Sequence, residues 1–442
     1  MTPPPLTRRR VFHLAWPMVF ANAATPLASV ADTFVIGAVG DKDDIAGVAL
    51  GAVLFNIFYW SFYFLRMSTT GLAAQAEGAN DQTASQLIVL RALTAALAIG
   101  LIVLVLRGPA AALGFWVLQG EAKVERLGEV YFSIRALGAI GAFASFALTG
   151  WLIGAGRTRE VLAVTVVYSA VNIGLDFWFV FGLNLGVAGV AWATAIADVL
   201  SALMAGLVVH LVVQRRGGWR SEARAPRAVF DPSALKQLFA VNLDLMIRTW
   251  SLVISFSWFA NIGAKLGAAV LAGNHVLLQI VSVWAFVLDA YAFVAESEVG
   301  RAFGAKSVSA LRRAIRLTSE FAFASGFLFM IATFAFGPAL LDAWIADEEA
   351  RASALRFLPY CAAIPFFGAA AWQLDGIFIG ATRSAAMRNA GIASALIYLA
   401  LDRTLTPNFG AHGAWTAFLL FYLARAGALA ADYPALERDV KA

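Results

Sequence analysis

Gly150-Trp151-Leu152-Ile153-Gly154-Ala155-Gly156-Arg157 returns, 226 residues later, as Gly376-Ile377-Phe378-Ile379-Gly380-Ala381-Thr382-Arg383. Both stretches carry a small-xxx-small step filled with apolar residues and closed by an arginine. At the same offset Gly37 matches Gly263, and Ala46-Gly47 matches Ala272-Gly273. Gly78-Ala79 matches Gly304-Ala305, and Leu175-Asp176 matches Leu401-Asp402. One such pairing is expected by chance in a chain so rich in Gly and Ala. A register held through five landmarks is a duplication.

The duplicated unit is a membrane unit. The 442 residues are 61% hydrophobic and only 14% charged, where a soluble chain carries about a quarter charged residues. Apolar blocks of about 20 residues, enough to cross about 30 Å of hydrocarbon as helix, alternate with short polar breaks. This excludes a soluble enzyme, a nucleic-acid-binding domain, a secreted disulfide scaffold and a disordered chain. It also excludes an outer-membrane barrel, whose strands alternate. The single cysteine, Cys361, allows no intrachain disulfide and no metal cluster. Thr7-Arg8-Arg9-Arg10 before an apolar run imitates a signal peptide, but the run continues to Val39 without a small-residue cleavage site and reads as a retained span.

Twelve spans are expected: 11–39, 46–72, 85–106, 127–153, 160–182, 187–213, 235–262, 270–298, 312–336, 354–379, 386–405 and 411–431. The polar stretch Gln214 to Lys236 divides them six and six. The expected fold is therefore all-α, with two six-helix lobes at 1–213 and 235–442 and a basic linker at 214–234. An even number of spans per half makes the repeat parallel, with its pseudo-two-fold axis along the membrane normal. Alternate sides of the membrane carry 21 and eight Lys plus Arg. By the positive-inside rule both termini and the linker face the cytoplasm of an inner membrane. Topology thus explains the net charge of +5, and no nucleic-acid partner is required.

Ionisable groups inside spans cost several kcal/mol unless paired or hydrated. The first and fifth spans run outward, and Asp32 and Asp176 both fall about 10 Å below their outer ends at 1.5 Å per residue. Asn172 shares a helix face with Asp176, and Thr194 reaches the same level on the returning sixth span. Two carboxylates, an amide and a hydroxyl can meet in one layer. Two buried carboxylates do not both stay ionised cheaply, so such a layer can take up H⁺, or Na⁺ on oxygen ligands. Hydrogen bonding to backbone is the plainer reading of Asn172 and Asp176. Pro17 and Pro26 are expected to kink or loosen the first span and to serve as hinges. Asp198, one turn beyond Thr194, has no assigned role.

The second half carries Asn242, Asp244, Arg248, Asn274, Gln279, Asp289, Glu296, Glu298, Gln373, Asp375 and Asp402. Arg248 reads as the lone buried cation in the upper part of these spans, with Asp289 and Asp375 as partners. Together with Gln279 they form either a structural polar network or a substrate or second-cation site. Gly300-Arg-Ala-Phe-Gly-Ala-Lys306-Ser307 imitates a phosphate loop, but the spacing is short and the lysine misplaced. No HExxH or GxSxG occurs, and the four histidines are scattered. An intrinsic protease, lipase or ATP-driven pump lacks its chemistry here, and no cofactor or metal is expected beyond a coupling cation.

The order and spacing of these residues resemble the multidrug and toxic compound extrusion (MATE) family, and within it the DinF-like branch. The likeness is carried by Pro26-Leu27, Asp32-Thr33, Gly37, Phe64-Leu-Arg66-Met-Ser-Thr-Thr-Gly71-Leu-Ala-Ala-Gln75, Asn172-Ile-Gly-Leu-Asp176 and Gly186-Val-Ala-Gly189-Val-Ala-Trp-Ala-Thr194. In the second half it is carried by Asn242-Leu-Asp244, Ile247-Arg248-Thr249 and Gln373-Leu-Asp375-Gly376 through Arg383. The resemblance implies a secondary antiporter that expels small amphipathic, often cationic compounds against inward flow of H⁺ or Na⁺, and nothing in the duplicated fold demands more than a monomer. It also implies a cation site at Asp32, Asn172, Asp176 and Thr194. A lipid-linked oligosaccharide flippase of the same superfamily is the alternative. The scarcity of basic residues other than Arg248 in the outer cavity favours efflux.

Overall fold

The computed structural model describes residues 6–441. Among them are twelve helices of membrane-crossing length. They run Arg8–Val39, Lys42–Gly78, Gln82–Leu118, Ala122–Gly154, Thr158–Gly182 and Gly186–Arg215, then Pro226–Leu266, Ala268–Gly304, Val308–Trp344, Glu348–Gly380, Ser384–Phe409 and Ala411–Lys441. We refer to them as spans 1 to 12. No strand occurs among the described residues.

Most helices outrun the apolar blocks that announce them. Span 12 continues past 431 to Lys441, because its charged end finds partners: Arg312 grips Glu437 through two bonds of 2.8 Å, and Leu436 and Val440 are buried. Three spans expected as single helices are interrupted. Span 2 breaks between Ser61 and Phe64, and span 10 breaks at Gly368. A Cβ on Gly368 would stand 2.6 Å from the Trp372 ring. In span 4 the three-residue 3₁₀ turn Ala136–Gly138 separates Ala122–Arg135 from Ala139–Gly154. Gly138 and Gly141 there lie against span 6, where an added Cβ would be 2.7 Å from the Ala195 and Val199 Cα atoms.

Span 2 begins with a reciprocal cap. The Asp41 carboxylate accepts from the Asp43 and Asp44 amides, and Asp44 accepts from the Asp41 amide. Lys123, 3.0 Å away, and these amides hold the Asp41 carboxyl below its ordinary range.

The chain forms two compact units. One comprises Phe20–Glu77 and Asp81–Leu238. The other comprises the described residues up to Val19, Gly78–Asn80 and the described residues from Phe239 onward. The first turns of span 1 thus belong with the second half, where Arg8 pairs with Glu320 at 2.9 Å and Arg10 with Glu298 at 3.2 Å.

The duplication is written in the packing. A Cβ on Gly150 would stand 2.5 Å from the Arg66 carbonyl oxygen, and one on Gly376 would stand 2.4 Å from that of Ala292. Gly154 lies equally tight on Thr70 and Gly380 on Glu296, each at 2.5 Å. Glycine and partner are both displaced by 226 residues between the halves. Helix ends repeat as well: the left-handed residues Asn80, Gly156 and Asn184 have counterparts at Lys306, Thr382 and Gly410. In lipid the helices gain little from excluding water, so close backbone approach through small residues carries much of their association.

Candidate cation-binding site

Spans 1 and 5 run parallel through the first unit. The Ser169 hydroxyl donates to the Ala24 carbonyl at 3.1 Å, which fixes their register. About two turns on, Asp32 and Asp176 come within hydrogen-bonding reach of each other, and Asn172 adjoins Asp32. The Asn172 amide donates to the Thr194 hydroxyl at 3.0 Å, and that hydroxyl donates to the Val190 carbonyl at 3.0 Å. Asn172, Asp176 and Thr194 are buried, and Asp32 is half-buried. The structure therefore brings Asp32, Asn172, Asp176 and Thr194 into one cluster.

The cluster is short of donors. Asp32 Oδ1, Asn172 Oδ1 and both Asp176 carboxylate oxygens are buried with no hydrogen-bond partner. Two carboxylate charges about 4 Å apart repel by about 4 kcal/mol at an effective dielectric of about 20. With no donor on these oxygens that repulsion stands uncompensated by hydrogen bonds, whereas a proton between the carboxylates, or a cation on the four oxygens, removes it. The residues present fit a monovalent cation. Among the described residues no three His, Cys, Asp or Glu side chains form a metal cage.

One turn from the carboxylates lies an apolar layer. Val35 and Ile36 from span 1, Val180 from span 5 and Val187 and Val190 from span 6 form one apolar cluster with Val48 and Tyr131. Directly after Asp176 the helix widens into a π turn, Trp178–Gly182, closed by the Leu183 amide on the Trp178 carbonyl at 3.0 Å. Such single π turns concentrate at functional sites.

One turn further along span 6 lies a pair that the sequence reading did not join. Arg135 Nη1 donates to Asp198 Oδ2 at 2.6 Å, with both side chains under 10% exposed. The guanidinium also lies over the Phe55 ring, 4.1 Å from its centroid. Arg135 stands in the last helical turn before the 3₁₀ break in span 4. Asp198 follows Thr194 by one turn on the same face.

The second half offers an internal control. The counterparts of Asp32 and Asp176 at the 226-residue offset are Trp258 and Asp402. Trp258 Nε1 donates to Asp402 Oδ2 at 2.8 Å, and Thr406 donates to Asp402 Oδ1 at 2.5 Å. Where one half sets two acceptors face to face, the other sets donors on an acceptor. Carrying the offset through to Asp32 was the signal in the sequence that could have revealed this asymmetry.

The second-half polar residues divide. Arg248 donates to Asp375, and Arg425 lies 3.5 Å from the same carboxylate and 5.6 Å from the Tyr422 ring centroid. Arg248 is therefore not a lone buried cation. Arg425, a single cationic residue in an apolar run, gave no periodic or spacing signal. Asp289 acts electrostatically on Arg425, while Gln279 is exposed on span 8. Asp244 lies apart from Asp375, bonded to Ser384 at 2.8 Å and Arg388 at 2.7 Å. Pro17 and Pro26 sit within a span that is helical from Arg8 to Val39.

The family model MatE matches residues 17–178 and 243–403, one match in each half. The chain belongs to the MATE family. It is 33% identical over 431 residues to DNA damage-inducible protein F of Escherichia coli K12, covering 96% of this chain and 91% of that protein. It is 25% identical to a probable multidrug resistance protein NorM of Chromobacterium violaceum, covering 95% and 94%. A solved multidrug resistance MATE transporter in an outward-facing conformation has the same fold, with a TM-score of 0.87 at 18% identity over 98% and 97% of the two chains. The chain is thus a MATE efflux transporter of small compounds, a multi-pass inner-membrane protein and not an enzyme. Coupling to H⁺ or Na⁺ is a property of this family.

Proposed function

We propose that this MATE protein is an antiporter that exports small amphipathic, often cationic compounds in exchange for H⁺, with its two halves giving alternating access. Na⁺ on the same oxygens is the other coupling ion the chemistry admits. The observation that carries this reading is the donor-free set of buried oxygens on Asp32, Asn172 and Asp176 beside Thr194. It is supported by the same place in the second half being satisfied internally by Trp258 and Thr406.

A cation drives transport only if it binds two states with different affinities. Loading the pair removes the repulsion between Asp32 and Asp176 and lets spans 1 and 5 close on each other. Unloading restores it. Pro26, a turn and a half before Asp32, leaves span 1 short of one backbone bond and gives that motion a hinge; Pro17 gives a second. Emptied of cation, the pair reopens and the substrate path resets. Both termini and the basic linker lie in the cytoplasm, and the protein works as a monomer. A lipid-linked substrate would need free basic side chains, whereas Arg248 and Arg425 are both engaged by Asp375.

Efflux of a fluorescent lipophilic cation from intact cells tests the assignment. Asp32→Asn and Asp176→Asn are expected to abolish efflux while the proteins remain folded and membrane-inserted. Asp402→Asn is expected to retain it. Normal efflux by Asp32→Asn would sink the site.

A further inference from the structure

The buried Arg135–Asp198 pair is the strongest feature left over. It has no counterpart at the same positions of the other half. At the 226-residue offset Arg135 becomes Cys361 and Asp198 becomes Ala424. Cys361 is buried and donates to the Leu277 carbonyl at 3.4 Å. Spans 10 and 12, which correspond to spans 4 and 6, are joined instead by Asp375 and Arg425, 3.5 Å apart, at other positions of the repeat and with the charges reversed. The half that carries the Arg135–Asp198 pair is the half with the donor-poor carboxylates.

The geometry explains what the pair does. Arg135 uses Nη1 on Asp198, and its Nε is buried without a partner. Its charge reaches both Asp32 and Asp176. The titratable groups facing it from the surrounding spans are Asp32 on span 1, Tyr59 on span 2, Tyr131 on span 4, Tyr168 and Asp176 on span 5, and Asp198 on span 6. The phenols are neutral donors at ordinary pH, so the charge balance rests on three carboxylates and one guanidinium.

We propose that Arg135, anchored by Asp198, is a positioning residue that sets the affinity of the Asp32–Asp176 pair for its coupling cation. It acts as a fixed internal cation, held by an aspartate one turn from Thr194. Its charge weakens cation binding enough for release, and Asp198 prevents it from swinging onto the pair and replacing the transported ion. This rests on the reading of Asp32 and Asp176 as the cation site.

The test reads proton occupancy directly. Dicyclohexylcarbodiimide reacts with protonated buried carboxyls, and mass spectrometry locates the adduct. Labelling of Asp32 and Asp176 is followed against pH in the purified full-length protein, with folding checked by gel filtration and thermal unfolding. Arg135→Gln removes the competing charge, so its labelling midpoint is expected about one pH unit more alkaline than wild type, a tenfold change in proton affinity. Asp198→Asn releases the guanidinium, and its midpoint is expected to move in the acid direction. Arg135→Lys is expected near wild type. The charge-balanced double variant Arg135→Gln/Asp198→Asn is expected between the two single variants, and its comparison with Asp198→Asn isolates the arginine charge should Arg135→Gln alone fail to fold. Midpoints that move together, or do not move in folded variants, would overturn the proposal and leave the pair a packing brace. Wild type that labels at neither aspartate at any pH would instead overturn the cation site itself, and the role of Arg135 with it.

Discussion

Asp176 and Asp402 are the same residue of the repeat in opposite circumstances. Asp402 accepts from Trp258 and Thr406, so its charge is compensated within the fold. Asp176 has no donor on either oxygen. Replacing Trp258 by Phe removes one donor from a buried carboxylate and is expected to destabilise the protein by about 1–3 kcal/mol, measured by reversible unfolding in mixed micelles. Asp176→Asn replaces a carboxylate that has no hydrogen-bond donor and is expected to leave stability equal or higher while efflux is lost. Asp375 is a third case. Its removal takes from Arg248 and Arg425 the carboxylate that they share, and Asp375→Asn is expected to cost about 3–5 kcal/mol by the same measurement. The depths of Asp32, Asp176 and Thr194 follow from counting residues to the ends of their spans. The Arg135 charge that acts on the two aspartates does not, because a single arginine in an apolar run has no periodicity, and its partner Asp198 lies 63 residues away.

At the scale of elements, glycine sets how closely spans approach. Gly150 and Gly376 pack against carbonyl oxygens of neighbouring helices, whereas a Cβ on Gly174 would meet nothing within 4 Å. Gly150→Ala and Gly376→Ala are each expected to lower stability by about 1–3 kcal/mol through overpacking. Gly174→Ala is expected to be neutral or slightly stabilising, since alanine is the better helix former. Thermal unfolding of the three variants separates these outcomes. The number of spans and the duplication were legible because hydrophobic length and spaced glycines are local signals. The interruptions at Phe62, Ala136–Gly138 and Gly368 were not. They answer to close packing against other spans, and the apolar composition runs through them unchanged.

For the whole molecule, the account is one of asymmetry in a duplicated fold. Two halves share helix order, cap positions and glycine contacts, yet only one presents facing carboxylates with a buried counter-charge beside them. On the proposed reading, coupling runs through the first half. The deciding measurement is uptake of a fluorescent lipophilic cation into everted membrane vesicles, driven in turn by an imposed pH gradient and an imposed Na⁺ gradient, with wild type, Asp32→Asn and Asp402→Asn side by side. The account predicts uptake driven by the pH gradient in wild type and Asp402→Asn and none in Asp32→Asn. Uptake by Asp32→Asn that still follows the gradient, or its loss in Asp402→Asn alone, would contradict it.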